Sequence, residues 1–152
     1  MALPSVYTAT VAQQLTDRVN KLQVSSQPLW GKMNVAQMLA HCNVAYELAF
    51  ENKHPQPNAV IRFFLKLFVK KIVTGEKPYT RNMRTAPVFL VSNQQDFALQ
   101  QQRLLAYITK TQEAGAAFFE GKENPGFGTL TAIEWNNIFY KHLDHHLAQF
   151  GA

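Results

Sequence analysis

The chain has 152 residues, 47% of them hydrophobic and 16% charged. That balance suits one folded domain over residues 1–152 and excludes a disordered chain. A single cysteine, Cys42, rules out an intrachain disulfide and any zinc site built on two or four thiolates. The net charge of +5 is local: eight of the fifteen basic residues lie between Lys53 and Arg84, with Glu76 the one acid among them, which argues for a local basic feature and against a nucleic-acid binder.

Apolar residues recur mainly with period 3.6, and no internal repeat is present, so the elements read as helices. The first runs roughly from Thr8 to Leu22, with Val11, Leu15, Val19 and Leu22 on one face. The second follows Pro28, Trp30 and Gly31. Asn34 is a good N-cap and Gln37 completes a capping-box pair; the helix ends near Asn52, before Pro55 and Pro57. A basic amphipathic segment, Val60 to Val73, comes next, then a long connection through Pro87. The third helix spans roughly Asn93 to Glu120, with Phe97, Leu104, Leu105, Ile108 and Phe118 among its apolar positions. Gly121 and the run Asn124-Pro125-Gly126-Phe127-Gly128 form a loop. The fourth helix runs from about Thr131, paired with Glu134 as a second capping box, to Phe150, and Gly151 closes it. The expected fold is all-α, a four-helix bundle with a long crossover between helices two and three.

Three of the five histidines lie in His142-Leu143-Asp144-His145-His146. His142 and His146, four apart on a helix, can reach one point, the geometry that His-x-x-x-His zinc sites use. Trp135, Ile138, Phe139 and Gln149 share their face, which therefore points inward. Asp144 projects almost opposite, and His145 sits on the flank. His41 lies on an apolar face of helix two with Gln37, Met38, Val44 and Leu48. Alone it reads as a satisfied core histidine; with the pair on helix four it becomes the natural third ligand. Gln37, Gln149 and His145 are candidates to support the three imidazoles, although each glutamine could equally satisfy backbone groups near a helix end. Cys42 points about 100° away from His41 and reads as a small buried residue. No carboxylate is placed as the general base of a metalloprotease.

Trp30-Gly31-Lys32-Met33-Asn34-Val35-Ala36-Gln37-Met38-Leu39-Ala40-His41 resembles the second-helix motif of the DinB-like superfamily of metal-binding four-helix-bundle proteins, related to the YfiT-type metal-dependent hydrolases. Phe127-Gly128, Glu134-Trp135 and the run from Tyr140 to Gly151 resemble one branch of that superfamily, although Asn124-Pro125 stands where similar sequences often have His-Pro. The resemblance implies one divalent metal held by His41, His142 and His146. Three imidazoles suit zinc or nickel, and also iron, and leave a position for water or a thiolate. The implied function is a metal-dependent enzyme carrying out hydrolysis or thiol-dependent group transfer on a small molecule, with a low-molecular-weight thiol as one candidate partner. The alternative is a non-catalytic metal-binding or dimeric interaction protein whose histidine site is structural.

In the basic segment, Arg62, Lys66 and Lys70 lie roughly opposite Phe63, Phe64, Leu67 and Phe68. The expected arrangement packs the aromatics on the bundle and solvates the lysines, in preference to a membrane-surface helix. The segment could also cover the metal site, with Arg81 and Arg84 attracting an anionic substrate. No window reaches the ~18 apolar residues of a membrane span. The opening MALPSVYTAT lacks the basic start and apolar block of a secretion signal, so the cytoplasm is the expected location. A homodimer is one expected assembly, since bundles commonly pair through a helix face.

Overall fold

Side-chain caps open the main helices of the computed structural model, which describes residues 2–152. The Thr8 hydroxyl accepts from Val11 N at the start of α1, Ala9–Asn20. Both arms of the Asn34–Gln37 capping box close at the start of α2, Val35–Phe50. Each bond satisfies a backbone amide that the first helical turn leaves without a partner.

Asn58 caps α3, Ala59–Phe64, at Ile61 N. The chain then widens into a π turn, Leu65–Val69, closed by Lys70 N donating to Leu65 O, and continues as α4, Lys70–Thr74. Here the structure reverses the expected orientation. Arg62 and Lys70 face the bundle and pair with Glu123 at 2.9 Å and Glu134 at 3.3 Å. Phe63, Phe64, Leu67 and Phe68 face solvent. Arg62, Lys66 and Lys70 share one side, as their four-residue spacing predicts; what reverses is the direction that side faces. Acceptors lie on that side, and the last helix grips the end of α4. Asn137 Nδ2 donates to Thr74 O at 2.8 Å, and Lys141 Nζ donates to Ile72 O at 2.8 Å and Lys77 O at 3.1 Å.

The crossover continues through a short 3-10 turn, Pro87–Phe89. Helix α5, Phe97–Phe119, starts later than the expected Asn93, because Asp96 caps it at Leu99 N. Gly115, at φ 70° and ψ 170°, bends α5 near its end, a conformation open essentially to glycine alone. Beyond the bend Phe119 is fully buried and Phe118 is half exposed. The expected loop after α5 is an antiparallel hairpin of β1, Lys122–Asn124, and β2, Gly128–Leu130, in the register Glu123 to Thr129. Asn124 Oδ1 accepts from Gly126 N and Phe127 N, which shapes the turn. A second capping box, Thr131–Glu134, opens α6, Ala132–Gln149. Gly151, at φ 72°, ends it with Ala152 N donating to Leu147 O.

The four long helices α1, α2, α5 and α6 form an all-α bundle in which α1 and α2 each pack on α5 and α6. Val19, Leu39, Leu104, Trp135, Phe139 and Leu143 fill the interior. Asp144, on the outer side of α6, pairs with Arg18 of α1 at 2.7 Å. Between α2 and α5 lies a buried carboxylate, Glu47, paired with Arg103, Lys53 and His54. Beside it Glu51 pairs with Lys53 and accepts from the Tyr107 hydroxyl.

Burial alone would raise the pKa of Glu47, but bonds from Lys53, Arg103 and His54 outweigh it and hold the carboxyl below its ordinary value of 4.5. The stability this contributes is present above pH 4.5 and is lost as pH falls through the lower, folded-state value. Glu47→Gln leaves Arg103 without its buried partner. Urea denaturation at neutral pH is expected to show a loss of about 1–3 kcal/mol, because the cations left behind are partly exposed, and a loss under about 0.5 kcal/mol, the size of an ordinary surface substitution, would show that the network is not structural.

Candidate metal centre

Helix geometry places His41 on the inward side of α2, and His142 and His146 one turn apart on the inward side of α6. The three rings meet. Ring centroids lie 4.7 Å apart for His41 and His142, 4.5 Å for His41 and His146, and 4.9 Å for His142 and His146. One donor nitrogen from each ring lies within 4.8 Å of the other two. His41 and His146 are buried, and the partly exposed His142 is enclosed by the other two rings and by Phe89.

Hydrogen bonds on the outer nitrogens orient these rings. His41 Nδ1 lies 2.8 Å from Phe89 O, so that nitrogen carries the proton and donates it. His146 Nδ1 lies 2.8 Å from Gln149 Oε1. The Gln149 amide is fixed in turn, because its Nε2 donates to Trp30 O at 2.6 Å. With Nδ1 protonated on both rings, the Nε2 lone pairs of His41 and His146 point toward the centre. His142 Nε2 sits 2.8 Å from His41 Nε2, a distance at which two nitrogens need a proton or a cation between them.

The cluster is poised to stay neutral. Burial pushes His41 below the ordinary imidazole value, against an opposing bond to Phe89 O. Burial, then the proximity of His41 and His146, pushes His142 well below it. Burial, then His41, brings His146 down to about 3. Neutral imidazole is the form that ligates metals, and an outer N–H held by a carbonyl is the usual support for such a ligand. Three converging imidazoles, two with their outer nitrogens tied, therefore fit a borderline divalent ion such as zinc or nickel. Among the described residues no carboxylate or thiol joins this group. Cys42 is buried against Met38 Sδ, and burial raises its thiol pKa.

The surrounding candidates separate. Gln149 touches the cluster directly. His145 lies edge-on to His146, Trp30 and Tyr79, with centroids 5.0, 5.8 and 5.9 Å apart. Gln37 stays out of the cluster; besides its capping bond it donates to Ser92 O and Asn93 O, which fixes the end of the crossover. Arg81 stacks over the Trp30 ring at 4.2 Å, beside His145, whereas Arg84 lies exposed further along the crossover. Three participants were not singled out from the sequence: the carbonyls of Phe89 and Trp30, and the space at Gly31. A Cβ on Gly31 would lie 2.5 Å from Gln149 Nε2, and its φ is +84°. The Trp30-Gly31 pair was the available signal for that close approach.

A model of the DinB superfamily matches residues 7–150 of the chain. No curated protein and no solved structure matches it.

In metal-free protein the three histidines refuse protons that the unfolded chain takes up near 6.5. Stability therefore falls as pH drops through that value, well before the acids titrate. NMR of chelator-treated protein should show His142 and His146 failing to titrate through pH 6.5; ordinary titration curves for both would contradict the tied, neutral cluster.

Proposed function

The chain belongs to the DinB superfamily, and on that footing we propose that it is a metal-dependent enzyme with a three-histidine site in the bundle core. The observation that carries this reading is the convergence of three imidazoles, two of which already have their outer nitrogens engaged. His41, His142 and His146 would hold one divalent ion, with zinc or nickel favoured by the donor set and iron third. When bound, such an ion supplies Lewis acidity at neutral pH.

The chain's own residues do the rest. Phe89 packs against His41 and His142 and keeps water from that side of the rings. Gln149 and the Phe89 carbonyl hold two rings in the tautomer that presents Nε2. Arg81, braced on Trp30, offers its guanidinium to the anionic end of a small-molecule substrate. The reaction classes that suit three neutral protein ligands are hydrolysis and thiol-dependent group transfer, and a panel of thiol conjugates, esters and amides separates them.

Elemental analysis of untagged protein is the direct test. About one equivalent of divalent metal per chain is expected, lost in His142→Ala. Gln149→Leu removes the acceptor from His146 Nδ1 and is expected to weaken metal affinity by about 10- to 100-fold while the fold is retained. Metal-free protein of full stability with no affinity for zinc or nickel would overturn the proposal. If chelation lowers the melting temperature sharply and the substrate panel shows no turnover, the metal is structural.

A further inference from the structure

Val60, Phe63, Phe64, Leu67, Phe68 and Ile72 form a ridge on the solvent side of the segment from α3 to α4. Phe63, Leu67 and Phe68 are 61, 59 and 61% exposed, and neither α3 nor the π turn contains a buried residue. Single exposed apolar side chains are ordinary; a contiguous ridge is not. With aromatic side chains of roughly 200 Å² each, this one rivals the largest apolar patches of monomeric proteins, a few hundred Å².

The segment cannot bury the ridge by rolling over, because its other side is already engaged. Arg62 and Lys70 pair with Glu123 and Glu134, and Asn137 and Lys141 hold the carbonyls at and beyond the end of α4. The bundle therefore holds the apolar side outward. The surroundings of the ridge are cationic. Lys71 and Lys77 are exposed, and Glu76 is the one acid between Lys53 and Arg84. A second copy seated on this face would bring like charges together, whereas an anionic surface complements them. Aromatic and aliphatic side chains projecting from a helix, flanked by lysines, match the boundary between headgroups and acyl chains.

We infer that this ridge is a docking surface for an anionic bilayer, with the apolar side chains in the headgroup boundary and Lys71 and Lys77 against lipid phosphates. The association is peripheral: among the described residues no helix is long and apolar enough to cross a membrane. It stands independently of the metal reading.

Flotation of the full chain with vesicles tests it. One set is phosphatidylcholine alone; the other contains phosphatidylglycerol as well. Binding to the anionic set is expected, weaker by about tenfold or more on the neutral set and in high salt. The double variant Leu67→Ser/Phe68→Ser is expected to bind about tenfold more weakly with an unchanged melting temperature, since both side chains are exposed. Lys71→Glu/Lys77→Glu should reduce binding to anionic vesicles and leave binding to neutral vesicles unchanged. No binding to anionic vesicles, or equal binding by the serine variant, would overturn the inference. So would sedimentation showing a dimer that the serine variant dissolves, which would assign the ridge to a second copy.

Discussion

Burying three imidazoles side by side is the constraint on which this structure turns. Each ring brings two nitrogens out of water, and each nitrogen left without a partner costs about 1–3 kcal/mol. The fold meets the demand for His41 and His146 from outside the cluster. Phe89 O, carried on the crossover, takes one proton, and Gln149, at the end of α6, takes the other. That leaves the inner nitrogens facing one another, which is tolerable only with a proton or a cation between them. Much of the surrounding architecture follows. The crossover must pass over the rings to deliver a carbonyl. The residues after α1 must pass close enough to Gln149 that only glycine fits at position 31.

Helix α2 carries a second charged or titratable station of the interior. Two turns beyond His41 it presents Glu47, and the two stations have opposite character. Burial keeps the histidines neutral, whereas Lys53, Arg103 and His54 keep Glu47 charged. This division separates a site suited to binding a cation from a network suited to joining α2 with α5. At the surface, the segment from α3 to α4 is held by its charged side. Its ion pairs with Glu123 and Glu134 are individually weak, being exposed, but the bonds from Asn137 and Lys141 to backbone carbonyls add an anchor from within α6.

What could be read from the sequence was local or periodic. The Asn34–Gln37 and Thr131–Glu134 boxes are determined within four residues. The inward faces of His41, His142 and His146 follow from helical spacing and from their apolar neighbours. What escaped depends on distant partners or on departures from ideal helix. Glu47 meets Arg103, which is remote in sequence, so periodicity could not reveal it. The orientation of Arg62 and Lys70 was missed because their acceptors belong to the hairpin and α6, which are remote in sequence. Strands of three residues carry too little alternation to be seen, which hid the hairpin. Gln37 read as a support for the histidines but is spent on the crossover, where Ser92 and Asn93 offered carbonyls that no face projection shows.

The central claim is that these imidazoles jointly bind one cation through Nε2. X-ray absorption at the metal edge of zinc- or nickel-loaded, untagged protein tests it directly. The account predicts a first shell containing three imidazole nitrogens at about 2.0–2.1 Å, reduced to two in His41→Ala. A shell containing sulfur, or one whose imidazole count is unchanged in His41→Ala, would contradict it.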